Sequence, residues 1–238
     1  MSATLTQKNL SEPRTAEDPH NRPDRKLLVG YLHKTSNTLC GIKGYASLIT
    51  DREVHGEKAC RWAKKIILEV ERMEEIFRSV GDLTRGRRHP DMGVDLPGLV
   101  SDEASACAAD LVGLDLVLGP IPAGELRIPA ADLVLILKEV LKNCHESAYP
   151  ISTGVRVEIS GMTMPGGRIF LEVRDHGCGM DAELAAQASL PFVTTKENNH
   201  GVGLTRVDTL MDMYGLVWSL ESEEGMGTRV RLEVAEVV

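Results

Sequence analysis

Aromatic side chains make up only 4% of this chain, and its 27 Lys and Arg are outnumbered by 35 Asp and Glu, for a net charge of −8. The materials of base-stacking platforms and phosphate-neutralising patches are therefore scarce, which argues against nucleic acid as a partner. The basic cluster Arg85-Gly-Arg87-Arg88 is short and runs into Pro90, as a solvated linker does. No apolar run approaches the roughly 20 residues of a membrane helix, and Met1 to Gln7 lack the apolar core of a signal peptide. The expectation is a cytoplasmic protein without membrane insertion. Five cysteines (Cys40, Cys60, Cys107, Cys144 and Cys178) are scattered, odd in number and free of any Cys-x-x-Cys pair. That pattern indicates neither a disulfide framework nor a zinc site. What is present, 42% hydrophobic and 26% charged residues over 238 positions, suits one large globular domain or two small ones.

The chain divides by texture. Residues 1–24 are polar, carry Pro13, Pro19 and Pro23, and show no apolar period, so they read as a flexible tail. Residues 25–86 read as two long helices. Leu28, Leu32, Leu39, Ile42, Ala46 and Ile49 mark the first, and Trp62, Ile66, Val70, Met73, Phe77 and Val80 mark the second at near-heptad spacing. The interval 51–56 breaks them. Each helix of about 25 residues spans about 38 Å. A lone hairpin has too little core to be stable. Its apolar stripe therefore predicts a partner, most simply a second copy that completes a four-helix bundle. Past the linker, over 93–238, strands and helices mix. Strand patterns fall at 114–118, 125–128, 155–159, 168–174, 217–220 and 229–234, with helices at 130–147 and 203–213. Neighbouring strands in sequence make this an α+β sandwich rather than a doubly wound sheet.

Asp175-His176-Gly177-Cys178-Gly179-Met180 follows the alternating run Arg168 to Arg174. A carboxylate at a strand end accepts hydrogen bonds from an amine, and glycines beside it leave room for a flat ring. One helix earlier, Glu139 and Asn143 lie one turn apart on a shared face, where oxygen ligands for a hydrated divalent ion would sit. Lys142 lies between them. Downstream, the polar segment ending in Pro191-Phe192-Val-Thr194-Thr195-Lys196 reads as a mobile lid with Lys196 placed to meet phosphate. It runs into Gly201-Val-Gly203-Leu204, glycines that open a helix whose N–H groups and dipole favour phosphate. A P-loop pattern is missing.

Taken in order, Glu139-x-x-x-Asn143, Asp175-x-Gly177-x-Gly179-Met180, Pro191-Phe192-x-Thr194-Thr195-Lys196, Gly201-x-Gly203-Leu204 and Gly225-x-Gly227-Thr228 resemble the GHKL ATPases, and the Pro-Phe segment resembles their histidine-kinase branch. The resemblance implies a Bergerat-type α/β sandwich over 93–238 that binds ATP and Mg2+. It implies Asn143 as magnesium ligand, Asp175 as acceptor for the adenine amino group, and Gly177 and Gly179 as the adenine wall supported by Thr228. Gly201 and Gly203 would line the phosphates. Glu139 stands where the branch usually has asparagine, and it resembles the glutamate that serves as base for water in hydrolytic members. Asn199 replaces a frequent glycine.

The first long helix carries Leu32-His33-Lys34-Thr35-Ser36-Asn37-Thr38-Leu39 and then Gly44-Tyr45-Ala46-Ser47-Leu48. This resembles the phosphoacceptor box of the same branch. It implies that His33 takes the γ-phosphoryl group of ATP and passes it to an aspartate of a response-regulator receiver domain, within a homodimer. The usual carboxylate beside the histidine is replaced by Lys34, which offers donors but no acceptor and opposes an imidazolium by like charge. Asn37, one turn on, resembles the residue that orients water in the reverse, phosphatase direction. A phosphotransferase or phosphatase on the same scaffold therefore stands as the alternative to an autokinase, and an ATP-hydrolysing module using Glu139 as a third reading.

Overall fold

The computed structural model describes residues 3–4, 23–50, 56–84, 88–148, 154–190, 193–195 and 201–237. Its elements in chain order are β1 (Ala3–Thr4), α1 (Pro23–Thr50), α2 (Glu57–Thr84), α3 (Leu96–Asp110), β2 (Leu114–Leu118), β3 (Glu125–Leu126), α4 (Ala130–Glu146), β4 (Val155–Thr163), β5 (Arg168–Asp175), α5 (Ala182–Gln187), α6 (Gly203–Tyr214), β6 (Trp218–Glu223) and β7 (Gly227–Glu236).

Helices α1 and α2 form the expected hairpin, each 28 residues long. Gly56 precedes α2 with φ 72°, a left-handed value that glycine adopts without cost. Across the hairpin, Lys65 Nζ lies 5.2 Å from the Tyr45 ring centroid, and Gly41 packs on Glu69. Extending that antiparallel register sets His33 level with position 77. Trp62 and Ile66 are half-buried, as their stripe requires, whereas Leu39, Leu48, Ile67, Leu68 and Val70 stay exposed.

The second half of the chain is a mixed sheet in the order β1-β6-β7-β5-β4-β2, with β3 added to β7. All pairings are antiparallel except β2 with β4. Strict alternation explains the strands: in β5, Ile169, Leu171, Val173 and Asp175 turn inward, while the residues between them are half-buried. On the opposite face Glu172, Arg229, Arg231 and Glu221 form a ladder of ion pairs between neighbouring strands. The inward face is covered by α3, α4 and α6. Leu133, Ile136, Leu137, Val140 and Leu141 of α4 pack with Ile159, Leu171 and Val173 of the sheet, all essentially buried. The α+β sandwich read from the sequence is thus the observed fold.

Differences are local. The strand expected over 125–128 ends at Leu126. Helix α3 has no counterpart in the pattern reading, because Gly98 and its alanines dilute the stripe of Leu96, Val100 and Ala104. Within the segment expected to be a tail, Ala3 and Thr4 pair with Ser222 and Glu221 of β6; residues 5–22 lie outside the described residues.

The linker is tied down where it enters the sandwich. Asp91 accepts from the Ala130 N–H at the start of α4 (2.8 Å), and the Arg88 guanidinium pairs with Asp132 one half-turn later. The Tyr214 hydroxyl, at the end of α6, donates to the other Asp132 oxygen (2.6 Å) and accepts from the Arg88 N–H (3.4 Å). Burial and the Asp132 carboxylate both hold the Tyr214 hydroxyl above its usual range. Replacing Tyr214 with Phe leaves a buried carboxylate short of one donor, and it is expected to cost about 1–3 kcal/mol in urea unfolding.

Candidate functional site

The sandwich encloses a cavity of about 150 Å³ between α4, the turn after β5, α5 and the start of α6. Four elements deliver its walls. Along α4, Glu139, Asn143 and the C-cap residue Ser147 recur every four residues, so one face carries three polar heads into one wall. Asp175 stands at the last position of β5, on the strand's inward face, and is 3% exposed.

Asp175 is the centre of a dense polar knot. Its Oδ1 accepts from the Ser147 hydroxyl (3.0 Å), the Gly177 N–H (2.9 Å) and the Thr228 N–H (3.3 Å). Burial dominates its acidity and pushes the carboxyl pKa up; the donors from Gly177, Ser147, Thr228 and Cys144 pull the other way without overcoming it. The surrounding backbone can approach only because side chains are missing. A Cβ on Gly227, where φ is 93°, would strike the Asp175 carbonyl, and one on Gly179, at φ 63°, would strike the Glu223 carbonyl. The Ser222 hydroxyl ties the same corner, accepting from the Met180 N–H (2.9 Å) and meeting Thr228 Oγ1 at 2.9 Å.

Opposite this knot, Gly201, Val202, Gly203 and Leu204 form the start of α6 and a second wall. A Cβ at Gly203 would lie 2.9 Å from Glu139 Oε2 and 3.4 Å from Asn143 Nδ2, so both heads rest on the first turn of α6. Glu139 Oε1 also accepts from Arg206, three residues further along α6. The pair is largely withdrawn from solvent, with 8% of the Arg206 and 16% of the Glu139 side chain exposed.

Among the described residues, Asn143 Nδ2 is buried without a hydrogen-bond partner. An amide head with a vacant buried end is suited to a ligand, and a half-turn about its last bond exchanges which atom faces it. Among the described residues no group of three or more His, Cys, Asp and Glu converges as a metal cage. A cation held here takes few protein oxygens, which fits magnesium coordinated mainly by waters and phosphate oxygens. Glu139 is less free for that role than the spacing suggests, because Arg206 occupies one of its oxygens.

The structure thus brings Glu139, Lys142, Asn143, Asp175, Gly179, Gly201, Gly203, Leu204 and Thr228 to one cavity. Gly177 is not part of the lining. It lies behind the wall, where a Cβ would run into Ser147, and contributes its N–H to Asp175. Lys196, with residues 191–192 and 197–200 of the expected lid, lies outside the described residues. The described start of that segment is ordered: α5 is capped by Asp181, whose Oδ1 accepts from the Leu184 N–H at 2.7 Å. His33 and Asn37 are on α1, and Asn37 is exposed. Two residues escaped the sequence reading. Ser147 extends the Glu139–Asn143 spacing by one more turn. Arg206 is a cation on an otherwise apolar helix face, beside Val207 and Leu210, and such a residue needs a buried anion.

Because the Asp175 carboxyl pKa lies above its unfolded value, its protonated form is favoured by folding. That contribution to stability is complete below the ordinary aspartate pKa of 3.8 and is lost as pH rises through the folded value. Denaturant titrations of wild type and Asp175→Asn are therefore expected to show wild type losing stability relative to the variant as pH climbs from that point. A difference constant with pH would contradict the shift.

Residues 129–237 match the family model for the histidine kinase-, DNA gyrase B- and HSP90-like ATPases. Over longer stretches the chain is 26% identical to the sensor histidine kinase ZraS of Klebsiella oxytoca across 202 residues, covering 84% of this chain and 44% of that protein. It is 24% identical to the signal transduction histidine-protein kinase AtoS of Escherichia coli K12, covering 84% of this chain and 33% of that protein. The chain therefore spans less than half the length of these curated relatives. Among solved structures, the Acinetobacter baumannii histidine kinase AdeS matches with a TM-score of 0.63 at 14% identity, over 86% of this chain and 98% of that one. Full-length ShkA in complex with AMPPNP matches at 0.58 and 20% identity, over 91% of this chain and 47% of that one. These two likenesses show the fold. Residues 129–237 are thus similar to the ATPase domain of that family, and over longer stretches the chain is similar to sensor histidine kinases.

Proposed function

We propose that this protein is an ATP-dependent protein-histidine kinase of a two-component system, with His33 as phosphoacceptor. The observation that carries the reading is the buried carboxylate of Asp175. Its Oδ1 accepts from the Gly177 and Thr228 N–H groups, with the Ser147 hydroxyl shared between it and the Cys144 carbonyl, and Asp175 lines the cavity as a buried acceptor. An amino group on a flat ring, as on adenine, meets that requirement. The start of α6 then offers its N–H groups and dipole to phosphates.

Asn143 would hold magnesium, which supplies positive charge against the phosphate oxygens during transfer. For the transfer itself, a neutral ring nitrogen of His33 forms the bond to the γ-phosphorus while the bond to the ADP oxygen breaks. The proton on the other ring nitrogen must then leave to a base. The receiving group is an aspartate of a receiver domain, and the hairpin supports a homodimer. Leu39, Leu48, Ile67, Leu68 and Val70 leave apolar surface open along it, and a second copy would cover that surface. Among the described residues no helix is long and apolar enough to cross a membrane, which is compatible with a cytoplasmic location.

Lys34 beside His33, with exposed Asn37 one turn on, favours a second reading in which the scaffold works chiefly as a phosphotransferase or as a phosphatase of a phosphorylated receiver. Hydrolysis by Glu139 acting as base is disfavoured, since its carboxylate is engaged by Arg206.

Incubation with γ-labelled ATP and magnesium tests the kinase reading. Acid-labile label is expected on wild type and absent from His33→Gln; no label on wild type at any receiver concentration overturns it. Lys34→Glu, which restores an acceptor beside the ring, is expected to raise the labelling rate on the order of 10²-fold. Asp175→Asn turns an amide donor toward the amine of adenine, because the amide oxygen stays with the Gly177 and Thr228 N–H groups. ATP binding by calorimetry is then expected to weaken roughly 10- to 100-fold.

A further inference from the structure

At the α6 end of the cavity the protein places a carboxylate where the proposed ligand brings phosphates. Glu139 Oε2 rests on Gly203, beside the helix start that would receive the polyphosphate; Asn143, Gly201, Val202 and Leu204 there are neutral, and Lys142 is the one cation among the described lining residues. An unpaired carboxylate at that point would repel each phosphate through a poorly screened medium. Arg206 is the buried cation that meets it. Its guanidinium donates to Glu139 Oε1, it is itself 7% exposed, and it does not line the cavity.

We infer that Arg206 is a positioning residue that neutralises Glu139 and so makes the phosphate end of the cavity compatible with a nucleoside triphosphate. The pair sets the charge that the ligand meets. The inference rests on the ATP reading of the site, and it assigns to Arg206 the discrimination between a nucleotide and its nucleoside. A pair of this kind also carries its own signature. Removing one partner of a buried ion pair strands the other, whereas replacing both with neutral groups of similar volume is far better tolerated.

Isothermal titration of the full chain with ATP and with adenosine, on wild type, Arg206→Met, Glu139→Gln and the double variant, tests this as a mutant cycle. Arg206→Met is expected to weaken ATP binding at least about tenfold while changing adenosine binding less than about twofold, an electrostatic cost of about 1.4 kcal/mol borne by the phosphates alone. The double variant is expected to recover ATP affinity to within a few-fold of wild type. Equal loss for ATP and adenosine in Arg206→Met would show a purely structural strap and overturn the inference. So would a double variant as weak for ATP as Arg206→Met, which would make Arg206 itself a phosphate contact. Should Arg206→Met fail to fold by circular dichroism, Glu139→Gln decides. Its phosphate end gains net positive charge and is expected to bind ATP several-fold tighter with adenosine unchanged; unaltered ATP affinity overturns the inference. Wild type that binds neither ligand rejects the ATP reading itself, separately from these comparisons.

Discussion

Everything at the cavity depends on keeping one carboxylate buried at the end of β5. Asp175 lies inside the sandwich where donors from separate segments reach it: the Gly177 N–H from the turn after β5, the Thr228 N–H from the start of β7, and, from the end of α4, the Ser147 hydroxyl that it shares with the Cys144 carbonyl. Burial without those donors would cost several kcal/mol or force protonation. The requirement runs in both directions. The donors hold the carboxylate, and the carboxylate fixes the distance between α4, the β5 turn and β7. The glycines follow from the same constraint, since Gly177 and Gly227 give up side chains so that backbone can come within reach of Asp175. The proposed nucleotide site and the fold's most demanding polar centre are therefore one object.

How much of this could be read beforehand depends on how local the cause is. The strand leading to Asp175 announces itself by alternation, and α4 by the spacing of Leu133, Leu137, Val140 and Leu141. Those patterns report burial on one face, which is a property of a short window. The Glu139–Asn143 spacing was visible for the same reason, and Ser147 could have been added to it. Arg206 was opaque because its role is set by a partner 67 positions away, and nothing near it in sequence identifies that partner. Gly177 was legible as a glycine that allows close approach, but what approaches is the Ser147 side chain rather than a ligand ring. Helix α3 shows the limit of periodicity itself, because a stripe built partly of alanine has low contrast.

The two polar pairs between α4 and α6 differ in what they join. Glu139, in the cavity wall, is joined from behind by Arg206. Asp132 and Tyr214 stand at the far ends of the same helices and add Arg88, which arrives from the linker. Apolar contacts of Val207, Leu210 and Met211 fill the interval between them. A purely apolar seam would tolerate sliding of one helix along the other by small steps. Directional hydrogen bonds at both ends remove that freedom.

Two antiparallel helices pinned at both ends behave as a beam. Asp132 and Glu139 are seven residues apart on α4, about 10 Å at 1.5 Å per residue. The beam has one end bolted to the segment that descends from the hairpin and the other set against the cavity wall. The segment carrying Arg88 is therefore held to the same helix pair whose other contact, at Glu139, lies in the cavity wall.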